Sequence, residues 1–155
     1  MIRLVYLKIN KYLVKILHLK AYRSFQWSDY IFPSSLQLSS QIDLMLSHLK
    51  EVELSKKLEL GLHEALVNAV RHGNLEDPMK KLRVRRILTP KWVVWQIQDD
   101  GVGLPLDKRV TILPEEVDSE SGRGLFIISQ CFDDIRWSSK GNMLQLASRR
   151  THLRT

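Results

Sequence analysis

Apolar residues recur at helical spacing between Leu58 and Ala69. Leu58, Leu62, Ala65, Leu66 and Ala69 form one stripe, and a stripe of that width faces a core. Beside it Glu64, Asn68 and His72 follow one another at intervals of four residues, so on a regular helix all three point the same way. Packing alone does not call for a carboxylate, an amide and an imidazole along the flank of a buried stripe; a site does. The helix is predicted to begin near Ser55 and to end at Gly73 and Asn74, residue types suited to a left-handed cap.

The pattern elsewhere predicts a mixed set of elements. Ile31 to Pro33 reads as a short strand cut off by proline. Ser39 or Ser40 can cap a helix whose stripe is Ile42, Met45, Leu46 and Leu49. Lys81 to Leu88 alternates weakly, and Thr89-Pro90-Lys91 turns it into Trp92 to Gln98, a strand rich in aromatic and β-branched residues. Leu125 to Cys131 reads as a helix. Ile135 to Ser138 and Met143 to Arg150 flank the turn Ser139 to Asn142, which makes a final hairpin. Helices segregated from a mostly antiparallel, mixed sheet predict an α/β two-layer sandwich with the helices on one face.

Two glycine clusters carry candidate chemistry. The strand at Trp92 runs into Asp99-Asp100-Gly101-Val102-Gly103, where Gly101 and Gly103 allow close approach of the backbone to a ligand. Ser121-Gly122-Arg123-Gly124 opens the run from Leu125. A glycine-rich entry to a helix offers free N–H groups and a positive dipole end, which suits phosphate. The spacing matches neither a P-loop, since no Gly-Lys-Ser/Thr follows, nor the dinucleotide pattern of three glycines in one turn.

Taken in order, these elements resemble a known nucleotide site. Glu64-x-x-x-Asn68-Ala69-x-x-His72-Gly73 is similar to the N box of the GHKL ATPase superfamily, the Bergerat fold. Asp99-x-Gly101-x-Gly103 resembles its first glycine box, and Gly122-x-Gly124-Leu125 its second. The form Glu-Ala-x-x-Asn-Ala-x-x-His-Gly looks most like the bacterial anti-sigma-factor serine/threonine kinases, and the resemblance covers roughly residues 31–150.

That resemblance implies ATP and Mg²⁺ as cofactors and assigns roles by residue. Asp99 would accept the adenine amino group and Asn68 would offer its side-chain oxygen to Mg²⁺, an ion that prefers oxygen ligands and keeps several waters. Glu64, one turn earlier, would be the general base on an attacking hydroxyl. The backbone of Gly101, Gly103, Gly122, Arg123, Gly124 and Leu125 would approach the nucleotide, with His72 and Arg123 adding charge at the phosphates. A phosphorylated antagonist protein, a sequestered sigma factor and a homodimer are further implications. One departure is visible. Superfamily members often carry a threonine early in the final strand that helps hold the adenine-binding aspartate, and here the stretch reads Gly141-Asn142-Met143-Leu144. The support is either missing or supplied by Asn142.

Plainer readings of the same residues stand beside these. Glu64 and Asn68 can be helix surface residues, His72 can serve only as a cation at a helix end, and Arg123 can be a solvated side chain. His18, His48 and His63 show no paired metal-ligand spacing. Leu104 to Ser121, with Pro105, Pro114 and the acids Glu115, Glu116, Asp118 and Glu120, is a long connection without a sustained period. It is either a lid between the glycine boxes or a solvated loop.

Composition narrows the function classes. A chain of 155 residues can bury one domain core, and its single cysteine, Cys131, excludes a disulfide framework. A reducing, cytoplasmic setting is expected, and no apolar run approaches the roughly 18 residues a membrane span needs. The net charge of +7 raises nucleic-acid binding. Residues 1–30, however, hold Arg3, Lys8, Lys11, Lys15, Lys20 and Arg23 against Asp29 alone, and Arg149, Arg150 and Arg154 close the other end. A nucleic-acid domain normally carries its basic face on the folded body, and this body is close to neutral. The expected organisation is a basic extension over residues 1–30, an ATP-binding kinase domain over 31–150 and a basic tail over 151–155. The extension reads either as a basic amphipathic helix for a membrane surface or partner, or as an arm. Three classes remain: the protein kinase that the resemblance implies, an ATP-binding partner-switching module without kinase activity, and a nucleic-acid binder acting through its basic ends.

Overall fold

The computed structural model describes residues 25–47, 49–109 and 123–150. The basic extension up to residue 24, most of the candidate lid, Gly122 and residues 151–155 lie outside them. In chain order the elements are β1 (Gln26–Pro33), α1 (Ser39–Leu46), α2 (Val52–Asn68), β2 (Lys81–Leu88), β3 (Trp92–Gln98), α3 (Arg123–Cys131), β4 (Asp134–Trp137) and β5 (Met143–Arg149). A π-helical turn, Ala69–Gly73, extends α2, and a short 3₁₀ turn spans Leu106–Lys108. The strands form one sheet in the order β1-β2-β3-β5-β4. Each neighbouring pair runs antiparallel.

One sheet face carries the core. Leu82, Val84 and Leu88 of β2, Val93, Trp95 and Ile97 of β3, and Leu144 and Leu146 of β5 are buried in one cluster with Ile42, Met45, Leu58, Leu62, Leu66 and Ile128 from the helices. The opposite face is mixed, with one polar row across it. Asp29, Arg85, Gln96, Gln145 and Arg136 lie in register across all five strands. Arg85 Nε donates to Asp29 at 2.6 Å and Gln96 Nε2 to Gln145 at 3.1 Å. The expected two-layer α/β sandwich is therefore present, with every observed strand pairing antiparallel.

Local differences from the sequence reading have physical causes. β1 starts at Gln26, well before Ile31, and puts Ser28, Tyr30 and Phe32 on the helix side. Trp27 and Ile31 stand on the outer side, both about two-thirds exposed. Apolar residues on both faces hide the alternation that marks a strand. The weak pattern of β2 comes from an inward Arg86 and an outward Ile87. Arg86 is buried and donates to Met45 O at 3.0 Å and to Ser28 Oγ at 3.1 Å. A cation there meets the negative end of α1.

Helix α2 begins at Val52 rather than near Ser55, with Glu51 in the capping position but making no side-chain cap. The Glu51 carboxylate is turned instead to Arg150, at 2.9 Å, and Arg150 also donates to Thr89 O at 2.9 Å. That pair joins the head of α2 to the end of β5. α1 likewise starts at Ser39 without a side-chain cap, and Leu49 packs on the core beyond its end.

Helices α2 and α3 meet at Gly61. A Cβ there would lie 2.6 Å from both Cys131 Cβ and Phe132 Cε2. Alanine favours a helix over glycine by about 1 kcal/mol, whereas forcing a methyl into a packed contact costs about 1–3 kcal/mol. Gly61→Ala is therefore expected to lower stability, read as a lower midpoint in urea with an unchanged slope.

Candidate functional site

The site is assembled where α2 ends, where β3 ends and where α3 begins. Asp99 follows the last residue of β3 and is 8% exposed. Its Oδ1 accepts the Gly101 N–H at 2.8 Å. Burial raises the Asp99 pKa above the ordinary aspartate range, against the Gly101 N–H, which favours the charged form. Gly73 backs the carboxyl group so closely that a methyl there would overlap it, and a methyl at Gly101 would overlap Gly73 O. These two glycines serve close approach, since neither has a positive φ.

Of the two expectations, support from Asn142 is the one seen, and it acts on the main chain. Asp99 N donates to Asn142 O at 3.0 Å, and Asn142 Nδ2 donates to Asp99 O at 3.2 Å. Asn142 thus grips the Asp99 main chain, while Gly101 holds the carboxylate. Asp100 turns to β2, where its carboxylate pairs with Arg83 and accepts Lys81 N at 3.1 Å. Of the two neighbouring aspartates, Asp99 is the buried one, as its register predicts.

Asn74, read from the sequence only as a cap, is fully buried. Its Oδ1 accepts Asp100 N at 2.8 Å, and its Nδ2 donates to Ser34 Oγ and Lys81 O, each at 3.2 Å. It thereby ties the end of the helix to the end of β3. Neither Gly73 nor Asn74 is left-handed; the positive φ angles, 57° and 55°, fall on Leu75 and Glu76.

The rim on the other side is a clasp between two turns. Gly103 (φ 95°) packs on Lys140 O, Gly141 (φ 84°) packs on Leu104 O, and Leu104 N donates to Gly141 O at 3.0 Å. Arg109, which no motif singles out, locks the clasp. It donates to Leu104 O at 2.8 Å, Ser138 O at 3.1 Å and Ser139 O at 3.2 Å. An arginine in a loop of mixed composition gives no sequence signal for three carbonyl contacts.

Glu64 and Asn68 converge on the head of α3. A Cβ on Gly124 would lie 3.2 Å from Glu64 Oε2 and 3.3 Å from Asn68 Nδ2. The Glu64 side chain is 25% exposed, and its Oε1 is 3.6 Å from His63 Nδ1. His72 follows them beyond the end of the α-helical part of α2. It is exposed on the π-helical turn, which is wider than an α-helical one. Arg123 is the first residue of α3 and exposed, and Leu125 packs partly buried against the core.

The model of one protein family matches residues 43–148: the histidine kinase-like ATPase domain. That match takes in α2, β3, α3 and the final hairpin up to Ser148. The chain belongs to this family. No curated protein matches the chain at a significant level.

Membership of the histidine kinase-like ATPase family implies ATP binding, and the chemistry of the residues gathered here fits that ligand. Glycine rather than a side chain stands at Gly73, Gly101 and Gly124, where a Cβ would crowd Asp99, Glu64 or Asn68. A buried carboxylate at Asp99 suits a base that offers a hydrogen-bond donor. Among the described residues no group of three or more His, Cys, Asp or Glu side chains could hold a metal ion. Among the described residues, too, no helix is long and apolar enough to cross a membrane.

Proposed function

We propose that this histidine kinase-like ATPase domain is an anti-sigma-factor-like serine/threonine protein kinase. It binds Mg-ATP, phosphorylates an antagonist protein and, in its ATP-bound state, sequesters a sigma factor. The observation that carries this reading is the convergence of the Glu64 carboxylate and the Asn68 amide on Gly124 at the head of α3. A site that only holds nucleotide has no need of a carboxylate there; a site that moves a hydroxyl proton does.

Bound Mg-ATP supplies the electrophilic γ-phosphorus and a cation that offsets its charge. The residues do the rest. Asp99 accepts the adenine amino group and is kept oriented by Gly101 N–H and by the Asn142 grip on its main chain. Asn68 offers its amide oxygen to the cation, and Mg²⁺ with one protein oxygen, phosphates and waters is a normal arrangement. Glu64 takes the proton of the attacking serine or threonine. The N–H groups of Gly122, Arg123, Gly124 and Leu125 cradle phosphate at the positive end of α3. His72 and Arg123 add charge at the entrance.

The proposal includes a homodimer, a sigma factor and an antagonist as protein partners, a cytoplasmic setting and no direct nucleic-acid contact. Calorimetry with ATP in the presence and absence of Mg²⁺ tests the nucleotide step. Binding in the micromolar to millimolar range is expected, and Asn68→Ala should weaken it only when Mg²⁺ is present. Equal heats with and without the mutation would remove Asn68 from the metal. Light scattering and sigma-factor capture in ATP test the rest: a monomer that captures none favours the partner-switching module that does not phosphorylate.

A further inference from the structure

Neighbouring residues on a helix normally point about 100° apart and do not meet. His63 and Glu64 do meet. Their side chains bring His63 Nδ1 to 3.6 Å from Glu64 Oε1, with His63 half exposed and Glu64 three-quarters covered. The other carboxylate oxygen, Oε2, faces Gly124 beside the Asn68 amide. The carboxylate therefore has two differentiated oxygens, one toward the imidazole and one toward the head of α3.

We infer that His63 is a positioning residue for Glu64, holding Oε1 so that Oε2 is presented at the α3 end of the site. The inference rests on the kinase reading above. A glutamate side chain has three rotatable bonds, and a base that must meet a hydroxyl proton gains from having them restrained. The distance is that of an ion pair or a loose polar contact rather than a tight hydrogen bond, so the restraint acts on the rotamer and not through a strong bond. In the step itself the hydroxyl oxygen bonds to the γ-phosphorus and the bond to the ADP oxygen breaks with its electron pair. The hydroxyl proton passes to Glu64 Oε2. His63 touches none of the reacting atoms.

Basal turnover of Mg-ATP, with water as the acceptor, provides a test that needs no protein partner. Wild type, Glu64→Gln, His63→Ala and His63→Asn are compared for phosphate release and, separately, for Mg-ATP affinity. Misplacing a reacting group by an ångström can cost about a hundredfold, so His63→Ala is expected to lower kcat by about ten- to a hundredfold. KM and affinity should stay unchanged. Asparagine places Nδ2 as far along its side chain as histidine places Nδ1, so His63→Asn should recover most of the rate. Wild-type turnover in His63→Ala overturns the inference, as does a loss of affinity that matches the loss of rate in both His63 variants. If wild type turns over no faster than Glu64→Gln, Glu64 does not act as a base in this turnover and the inference falls, while label transfer to an antagonist protein separately decides the kinase reading. An active wild type, an inactive Glu64→Gln and a normal His63→Ala would remove the positioning role alone.

Discussion

Glu64→Gln is expected to abolish most phosphotransfer while leaving the helix and Mg-ATP binding intact. Removal of a general base typically lowers rate by about 10²–10⁴, and the amide keeps the shape and one acceptor of the carboxylate. Space at this position is already set by Gly124, 3.2 Å from Oε2 in terms of the methyl it lacks. An isosteric change therefore adds no strain, and a lower rate reports chemistry. Transfer of label from γ-labelled ATP, with affinity measured in parallel by calorimetry, checks both halves. Asn68→Ala should fail in the opposite way, at binding, because it removes a metal ligand and leaves the base in place.

Asp99→Asn is expected to separate affinity from stability. Its carboxylate is the candidate acceptor for the adenine amino group, and a hydrogen bond to a charged partner contributes about 1.5–3 kcal/mol. Replacing it with an amide that can present the wrong group should weaken ATP binding by about ten- to a hundredfold. The unbound protein should respond the other way. Burial raises the Asp99 pKa in the folded chain, so the folded state binds its proton more tightly than the unfolded state does. This unfavourable contribution is absent at pH below the ordinary aspartate range, grows as pH rises toward the raised folded value and is complete above it. At neutral pH the asparagine removes it, and Gly101 N–H can still be accepted by the amide oxygen. A higher thermal midpoint without nucleotide, together with lost ATP stabilisation, is the expected result of a melting series with and without ATP.

The fold was legible where one physical pattern dominated. The stripe from Leu58 to Ala69 is buried throughout, and β3 and the final hairpin fall close to their expected bounds. Asp99 was separable from Asp100 by its place in the motif, and the structure buries the first and pairs the second with Arg83. Other features carry no periodic signal. A π-helical turn shifts hydrogen bonding by one residue over five positions, His72 among them, too few to disturb a hydrophobic pattern. Asn74 and Arg109 act through backbone carbonyls and amides, which no side-chain pattern announces. Arg86 breaks the β2 alternation because two of its guanidinium nitrogens donate to the end of α1 and to Ser28, contacts made only after folding. Glu51 is engaged with Arg150, ninety-nine positions along the chain, and so leaves no local cap to mark the start of α2.

On the proposed reading, this ATPase-family domain moves phosphate from ATP to a protein hydroxyl through Glu64. Incubating the full chain with γ-labelled ATP, Mg²⁺ and candidate antagonist proteins, followed by phosphoamino-acid analysis, measures this directly. Label on serine or threonine of an antagonist is expected with the wild-type chain and none with Glu64→Gln. Bound ATP with no label on any protein, or equal labelling by the Glu64→Gln chain, would contradict it.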